Sequence, residues 1–138
     1  MTLTDGDDAV MFSYGPVMLT QAVKAAELLQ KEHGLGLRVI NLPWLNHVDA
    51  DWLGSRVEGI KHIFTLDDHF VNGGQGEMLG CKLAELNDIE NYHLHRFGIH
   101  EIPACGLNDE VLQKHDLDAI SLSKSIHRIQ SEYKASDT

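Results

Sequence analysis

Short apolar runs alternate along the chain with segments in which apolar residues recur at helical spacing. Three runs are mainly apolar, which is typical of strands buried on both faces of a sheet. A fourth run alternates between apolar and polar positions, so we expect it to lie near a sheet edge. The expected strands cover residues 9–14, 37–42, 62–66 and 92–97.

Five helices are expected between and after these strands. In the first, residues 17–32, the positions of Met18, Ala22, Ala25 and Leu29 define one apolar face, and Gly34 provides the stop. The others are expected after Asp49, from the glycine-rich turn to about Glu85, after Asn108 and from about Asp118. Asp49 and Asn108 are predicted N-caps, with Val48 and Leu53, and Leu107 and Leu112, as hydrophobic staples.

This alternation of strands and helices predicts an α/β fold, a three-layer α/β/α sandwich with a largely parallel sheet. The sequence contains no internal repeat and no low-complexity linker. We therefore expect residues 1–138 to form a single domain with its core at about residues 8–130.

Composition narrows the classes of function. The chain has a formal net charge of -10, which disfavours nucleic acid and anionic membrane surfaces as partners. The acidic N-terminus does not resemble a signal peptide, and no apolar run is long enough to span a membrane. The only two cysteines, Cys81 and Cys105, are far apart in sequence, and Cys81 is expected to be buried among apolar neighbours. These observations favour a reduced, cytoplasmic location.

The glycine-rich segment after the third strand is the most specific candidate site. Its candidate contact residues, for an interface or an anion, are His69, Gly73, Gly74, Gln75 and Gly76. Glycines let the backbone approach a neighbouring group closely, and the free amides of a helix start can bind an anion. A dinucleotide fingerprint is disfavoured because the turn follows the third strand rather than the first. The preceding acids, Asp67 and Asp68, are interpreted as caps of the turn rather than as acid–base catalysts.

Histidines provide a weaker hypothesis. His93 and His95 lie on one face of the fourth strand, where they could bind a metal together with His69 or His100. No recognisable ligand spacing accompanies them, so surface or interface histidines are the preferred interpretation. No catalytic residue and no metal site is assigned from the sequence.

The order of motifs resembles the C-terminal domain of transketolase-like thiamine diphosphate enzymes. The similarity covers residues 8–17 (DAVMFSYGPV), 22–29, 39–49 (VINLPWLNHVD), 65–76 (TLDDHFVNGGQG), 97–99, 105–106 and 112–118. Two departures are Asn46–Val48, where the family usually has a proline, and Asp116, where glycine is common. The Asp-His pair at residues 68–69 favours the transketolase branch over deoxyxylulose phosphate synthase.

The resemblance implies five strands, four parallel and the first in sequence antiparallel. It also implies that thiamine diphosphate and Mg²⁺ are held by two other domains or a partner subunit, in an enzyme that is a homodimer. This chain would then bind no cofactor and support dimer and interdomain contacts during two-carbon ketol transfer between sugar phosphates. The alternatives are the C-terminal part of a 2-oxo acid dehydrogenase beta subunit or deoxyxylulose phosphate synthase, and a free-standing anion- or nucleotide-binding module.

Overall fold

A computed structural model of the chain describes residues 1–86, 89 and 91–136. Strands and helices alternate in the expected order. The strands are β1 (Ala9–Ser13), β2 (Leu37–Asn41), β3 (His62–Phe70) and β4 (His93–Ile99). The helices are α1 (Pro16–His33), α2 (Ala50–Val57), α3 (Gln75–Glu85), α4 (Asn108–Lys114) and α5 (Ala119–Ser136). None of the helices in these ranges is long and apolar enough to cross a membrane.

The four strands form one sheet in the order β2-β1-β3-β4, and every neighbouring pair is parallel. β1 and β3 are central, and β4 lies at an edge, as its alternating pattern predicted. All strands therefore end at the same side of the sheet, which we call the carboxyl edge. β3 is longer than expected, because it continues past Leu66 to Phe70, with a register shift against β4 between these two residues.

The expected five-stranded sheet with an antiparallel first strand is wrong. β1 is parallel to both of its neighbours, and within the described ranges an antiparallel contact occurs only as a single bridge between Thr2 and Ile40. The Thr4 hydroxyl explains why this bridge does not lengthen into a strand among the described residues. It accepts from the Val39 amide at 2.9 Å and donates to the Leu37 carbonyl at 2.7 Å, so a side chain takes the place of the backbone ladder.

Helices cover both faces of the sheet and complete the three-layer sandwich. On one face α1, α4 and α5 pack on Met11, Phe64 and Leu66. On the other face α2 and α3 pack on Phe12, Ile40 and Ile63. The four apolar residues predicted for the α1 face are all buried, and Gly34 ends that helix with a left-handed φ of 64°.

The predicted N-cap is correct for α2 and wrong for α4. The Asp49 carboxylate accepts the Trp52 amide at 2.8 Å, and Val48 and Leu53 are both buried, which confirms the α2 cap and its staple residues. At α4 the N-cap is Leu107 rather than Asn108, and the Leu107 side chain is exposed, so the expected staple with Leu112 is wrong. The Glu110 carboxylate instead accepts the Leu107 amide at 3.2 Å.

Candidate functional site

The candidate site lies at the carboxyl edge, where β1 and β3 lie side by side. The chain moves outward from β1 to β2 in one direction and from β3 to β4 in the other, so this is the topological switch point at which α/β sheets commonly bind ligands. In this protein, side chains of the same chain form hydrogen bonds across this crevice. The Ser13 hydroxyl donates to the Leu66 carbonyl at 2.9 Å, and the Tyr14 hydroxyl donates to Asp67 Oδ1 at 3.1 Å.

Asp67 is the central residue of the site. It is fully buried, and its two carboxylate oxygens accept the first amides of α3: Gln75 N at 2.6 Å and Gly76 N at 2.9 Å. These amides are the donors that a helix start leaves free for a ligand. The prediction that the acids before the turn cap it is confirmed for Asp67, whereas Asp68 is exposed.

A second carboxylate accepts another backbone amide of the glycine turn. Glu77, in the first turn of α3, accepts the Gly73 amide at 2.6 Å. Gly73 has a φ of 79°, a conformation that glycine adopts without steric cost. An anion approaching this turn would meet the carboxylates of Asp67 and Glu77 where it needs free amides. The geometry therefore opposes the anion- or nucleotide-binding hypothesis.

The Tyr14 phenol is the third donor to Asp67. Burial and the neighbouring Asp67 carboxylate raise the pKa of Tyr14 above its usual range. The phenol therefore keeps its proton through the physiological pH range and remains a donor. Tyr14 was not singled out from the sequence, because its partner is distant in the chain and is brought close only by the pairing of β1 with β3.

Gln75 ties the glycine turn to the loop after β2. Its side chain is 2% exposed, and Nε2 donates to the Leu42 carbonyl at 2.6 Å and the Trp44 carbonyl at 2.9 Å. Its Oε1 is buried without a hydrogen-bond partner among the described residues. The side chain thus fixes the backbone that carries Trp44 and Leu45. This role makes Gln75 a structural residue of the site rather than an exposed contact.

Two glycines of the turn are required by close packing. A Cβ atom on Gly74 would lie 2.8 Å from the Phe70 carbonyl oxygen and from the Asp67 carboxyl group. A Cβ atom on Gly76 would overlap the Thr65 hydroxyl and lie 3.0 Å from Asp67 Oδ2. The close approach expected of these glycines is therefore an approach to β3 itself.

Exposed apolar side chains flank the turn. Trp44 is 65% exposed, Leu45 is 51% exposed and Phe70 is 43% exposed. Trp44 and Phe70 each lie beside the glycine turn: the Trp44 carbonyl accepts from the Gln75 side chain, and the Phe70 carbonyl approaches Gly74. We call Trp44, Leu45 and Phe70 the edge patch. This patch was not expected from the sequence, since a short apolar pair such as Trp44–Leu45 gives no signal of exposure before the fold is known.

His69 lies next to the edge patch and is exposed. Its ring Nδ1 is 2.9 Å from the carbonyl oxygen of the adjacent Phe70, which orients the imidazole along the end of β3. It is not brought together with His93 and His95. Those two residues lie instead beside His62, with His62 Nδ1 3.4 Å from His95 Nε2. Within the described ranges no group of three or more His, Cys, Asp or Glu side chains is placed to hold a metal ion.

The cysteines differ from expectation in one respect. Cys81 and Cys105 are both free, but Cys81 is exposed rather than buried. It lies on α3, and the apolar positions of that helix that face the sheet are Leu79 and Leu83. The expectation was wrong because the apolar neighbours of Cys81 in sequence occupy a different face of the helix.

Comparison with known proteins shows which family has this arrangement. A family model described as "Transketolase, C-terminal domain" matches residues 1–122. The chain belongs to the transketolase C-terminal domain family. Human transketolase is 27% identical over 127 residues, which are 91% of this chain and 20% of the relative. A 1-deoxy-D-xylulose-5-phosphate synthase from Desulfitobacterium hafniense is 26% identical over 128 residues, 93% of this chain and 20% of that protein.

Among solved structures, a chain described as "Split gene transketolase, inactive beta4 tetramer" has the same fold. It aligns with a TM-score of 0.80 and 23% identity, over 93% of this chain and 41% of that one. The transketolase C-terminal domain spans about a fifth of the length of the two curated relatives described above. The fold and family expected from the order of motifs are therefore confirmed.

The family implies thiamine diphosphate, and the residues of the glycine turn do not fit that cofactor. A diphosphate needs free donors or a bound cation, whereas the Gln75, Gly76 and Gly73 amides already donate to carboxylates of the same chain. The part of the chain that the structure describes also offers no cluster of three ligands for Mg²⁺. No chemical step is assigned to this domain on its own.

Proposed function

We propose that the chain is the non-catalytic C-terminal domain or subunit of a transketolase-type enzyme. It acts by docking to the domains that bind thiamine diphosphate and Mg²⁺, and it supports dimer and interdomain contacts in the assembled, cytoplasmic enzyme. The observation that carries this proposal is the self-satisfied glycine turn, in which Asp67 and Glu77 take the amides a ligand would use. Because these amides are already bonded within the chain, we propose that the turn holds a protein-binding surface in place and does not bind a substrate.

The edge patch is the surface we assign to docking. The Gln75 side chain donates to the Leu42 and Trp44 carbonyls, so the backbone at the exposed pair Trp44 and Leu45 is tied to the glycine turn. Ordered, exposed aromatic and aliphatic side chains are typical anchors of protein interfaces. The partner we propose is a protein surface of the same enzyme, because the curated relatives described above are about five times longer than the segment matched here.

The split-gene transketolase neighbour supports a separate-subunit version of the proposal. That protein is described as an inactive tetramer of one chain type. By analogy, we propose that this chain self-associates and is inactive until it meets the chain that carries the cofactor domains. Two-carbon ketol transfer between sugar phosphates is the preferred reaction. Deoxyxylulose phosphate synthase is the alternative, since that enzyme also occurs among the relatives; the beta subunit of a 2-oxo acid dehydrogenase is the remaining branch.

A reconstitution assay tests the proposal. The purified chain is mixed with the thiamine diphosphate-binding chain from the same source, and ketol transfer between sugar phosphates is followed together with turnover of pyruvate. We expect activity only in the mixture; ketol transfer between sugar phosphates without pyruvate indicates the transketolase branch, whereas a requirement for pyruvate indicates one of the other two branches. Turnover by the isolated chain, or no activity of the mixture with either class of substrate, would contradict the proposal.

A matched pair of variants tests the assigned surface. Leu45→Ser removes an exposed apolar side chain at the carboxyl edge, and Ile120→Ser removes one of similar exposure, 58%, at the start of α5. We expect Leu45→Ser to raise the concentration needed for half-maximal reconstitution by about 10- to 100-fold, as at an interface hot spot. Ile120→Ser should leave it unchanged. Equal effects of the two variants would show that docking uses another face.

A further inference from the structure

Five of the nine histidines lie around the second half of α5. They come from α1, β3, β4 and α5 itself, so the sequence gives no sign of the grouping. They fall into two contacts, one on the sheet and one on α1. The five are His33, His62, His93, His95 and His127.

The sheet contact surrounds Tyr133. The His93 ring centroid is 4.1 Å from that of Tyr133, and the centroids of His62 and His95 are 5.0 and 5.9 Å from it. His95 also stacks on Phe64 at 5.0 Å. The imidazoles therefore form the surface on which the last turns of α5 pack.

The second contact joins α5 to α1. The His33 and His127 rings stack with centroids 3.6 Å apart and planes 6° from parallel. This face-to-face contact joins the end of α1 to the middle of α5. The Glu32 carboxylate lies 3.9 Å from His33 Nε2. The neighbouring charges on α5, Arg128 and Glu132, pair with each other at 3.6 Å.

The pair formed by His62 and His95 requires a neutral ring. Their nitrogens are 3.4 Å apart, and a hydrogen bond between imidazoles needs one ring to donate and the other to accept. When both rings are protonated, both can only donate and their charges repel. Among the residues that the structure describes, the titratable groups that face His95 include His62 from β3, His93 from β4 and Tyr133 from α5, and Lys61 immediately precedes His62.

We propose that these five histidines form a packing clamp, which holds the second half of α5 on the sheet and on α1 at neutral pH and releases it when protonation breaks the contact between His62 and His95 as the pH falls. The clamp regulates the conformation of the domain and is independent of the edge patch. Its opening would uncover the β4 face that carries His93, His95 and Phe97.

The direction of the pH dependence follows from His95. Burial and the neighbouring imidazoles of His62 and His93 lower the pKa of His95 from 6.5 to about 4. The released or unfolded chain therefore binds a proton more readily than the closed form. The contribution of His95 to the closed form is complete above pH 6.5 and is lost as the pH falls towards 4. If the released form binds one proton more than the closed form, the equilibrium between the two forms changes by at most about tenfold per pH unit. Solvent screening makes the change smaller.

Hydrogen exchange measured by mass spectrometry tests the clamp. Protection of residues 126–136, corrected for the intrinsic effect of pH, is compared between pH 7.5 and pH 5 with that of β1. We expect protection of this segment of α5 to fall by about 3- to 30-fold while β1 changes less. His95→Phe keeps an aromatic ring but removes the titrating group, so its loss of protection should be less than about 3-fold. His47→Gln, which replaces an exposed histidine in another loop, should behave as the wild type.

The same loss of protection in wild type and His95→Phe, or unchanged protection in the wild type, would overturn the proposal. If His95→Phe is unfolded by circular dichroism at pH 7.5, NMR titration of the wild type decides. The clamp then requires His95 to titrate well below pH 6.5, together with a change in the Tyr133 ring signals. Titration of His95 near 6.5 with unchanged Tyr133 signals would disprove it.

Discussion

At the residue scale, Asp67 acts as an internal anion for the start of α3. Three donors converge on its buried carboxylate, two of them backbone amides and one the phenol of Tyr14. Hydrogen bonds to a charged group are worth more than neutral ones, and donors that lose a buried partner carry a desolvation cost. The carboxylate therefore stabilises the turn and excludes an external anion from the same donors.

Replacing this carboxylate tests its role. Asp67→Asn puts an amide group in place of one acceptor oxygen, next to backbone amides that can only donate. We expect a loss of about 2–3 kcal/mol in the free energy of unfolding, measured by urea denaturation. The exposed neighbour provides the control, and Asp68→Asn should cost less than about 0.5 kcal/mol. Similar losses for both variants would mean that the cap contributes little.

Asp116 shows how one family departure is accommodated. It stands where glycine is common in the family, and its φ is 55°, in the left-handed region. Aspartate is among the non-glycine residues that tolerate this conformation best. The Leu117 amide then donates to the Leu112 carbonyl at 2.8 Å and closes the end of α4. Asp116 therefore makes a left-handed turn at this position without a glycine.

At the scale of elements, the start of α3 is fixed by its approach to β3, and a pair of glycine substitutions tests this. Gly76→Ala would force a methyl group against Thr65 and Asp67, whereas Gly54→Ala in α2 meets nothing within 4 Å. We expect Gly54→Ala to stabilise the protein by about 0.5–1 kcal/mol through helix propensity. Gly76→Ala should destabilise it by about 1–3 kcal/mol despite the same gain in propensity.

Thermal or urea unfolding of both variants shows directly whether each substitution raises or lowers the free energy of unfolding. The comparison is internally controlled, since the same substitution is made near the start of one helix and within another. Stabilisation by both alanines would show that α3 can move away from β3 without cost. Destabilisation by both would show that propensity is not the controlling term in α2.

The elements were predictable where their signals are local. The apolar face of α1, its Gly34 stop and the Asp49 cap depend on residues a few positions apart, and the structure has them where the pattern placed them. The end of β3 was not predictable in this way. Its extension to Phe70 depends on pairing with Ile99, and the acidic residues that suggested a turn remain in the strand because Asp67 points at α3.

The site was predictable in position but not in role. Glycines at 73, 74 and 76 after an apolar strand indicated a close approach. The structure has this approach at Gly74 and Gly76, where the groups approached are Asp67, Thr65 and the Phe70 carbonyl of the same chain, whereas a Cβ atom on Gly73 would meet nothing within 4 Å. The family resemblance supplied the architecture and also one error, the antiparallel strand. That strand is reduced to one bridge because the Thr4 side chain replaces a backbone acceptor.

At the scale of the whole molecule, the domain presents a three-layer sandwich with an apolar patch at the carboxyl edge and a histidine-lined packing surface under α5. Its net charge of -10 further disfavours capture of a free diphosphate. These properties agree with a domain that acts through contacts with the remainder of a larger enzyme. They also separate the two proposals, because docking uses Trp44, Leu45 and Phe70, whereas the acid response uses α5.

Calorimetric titration of thiamine diphosphate and Mg²⁺ into the isolated chain is the sharpest test of whether this domain leaves the cofactor to a partner. With the glycine-turn amides committed to Asp67 and Glu77, we predict no saturable heat at millimolar cofactor, and a saturable signal once the thiamine diphosphate-binding chain is added. Saturable binding of the cofactor by this chain alone would contradict that division of roles.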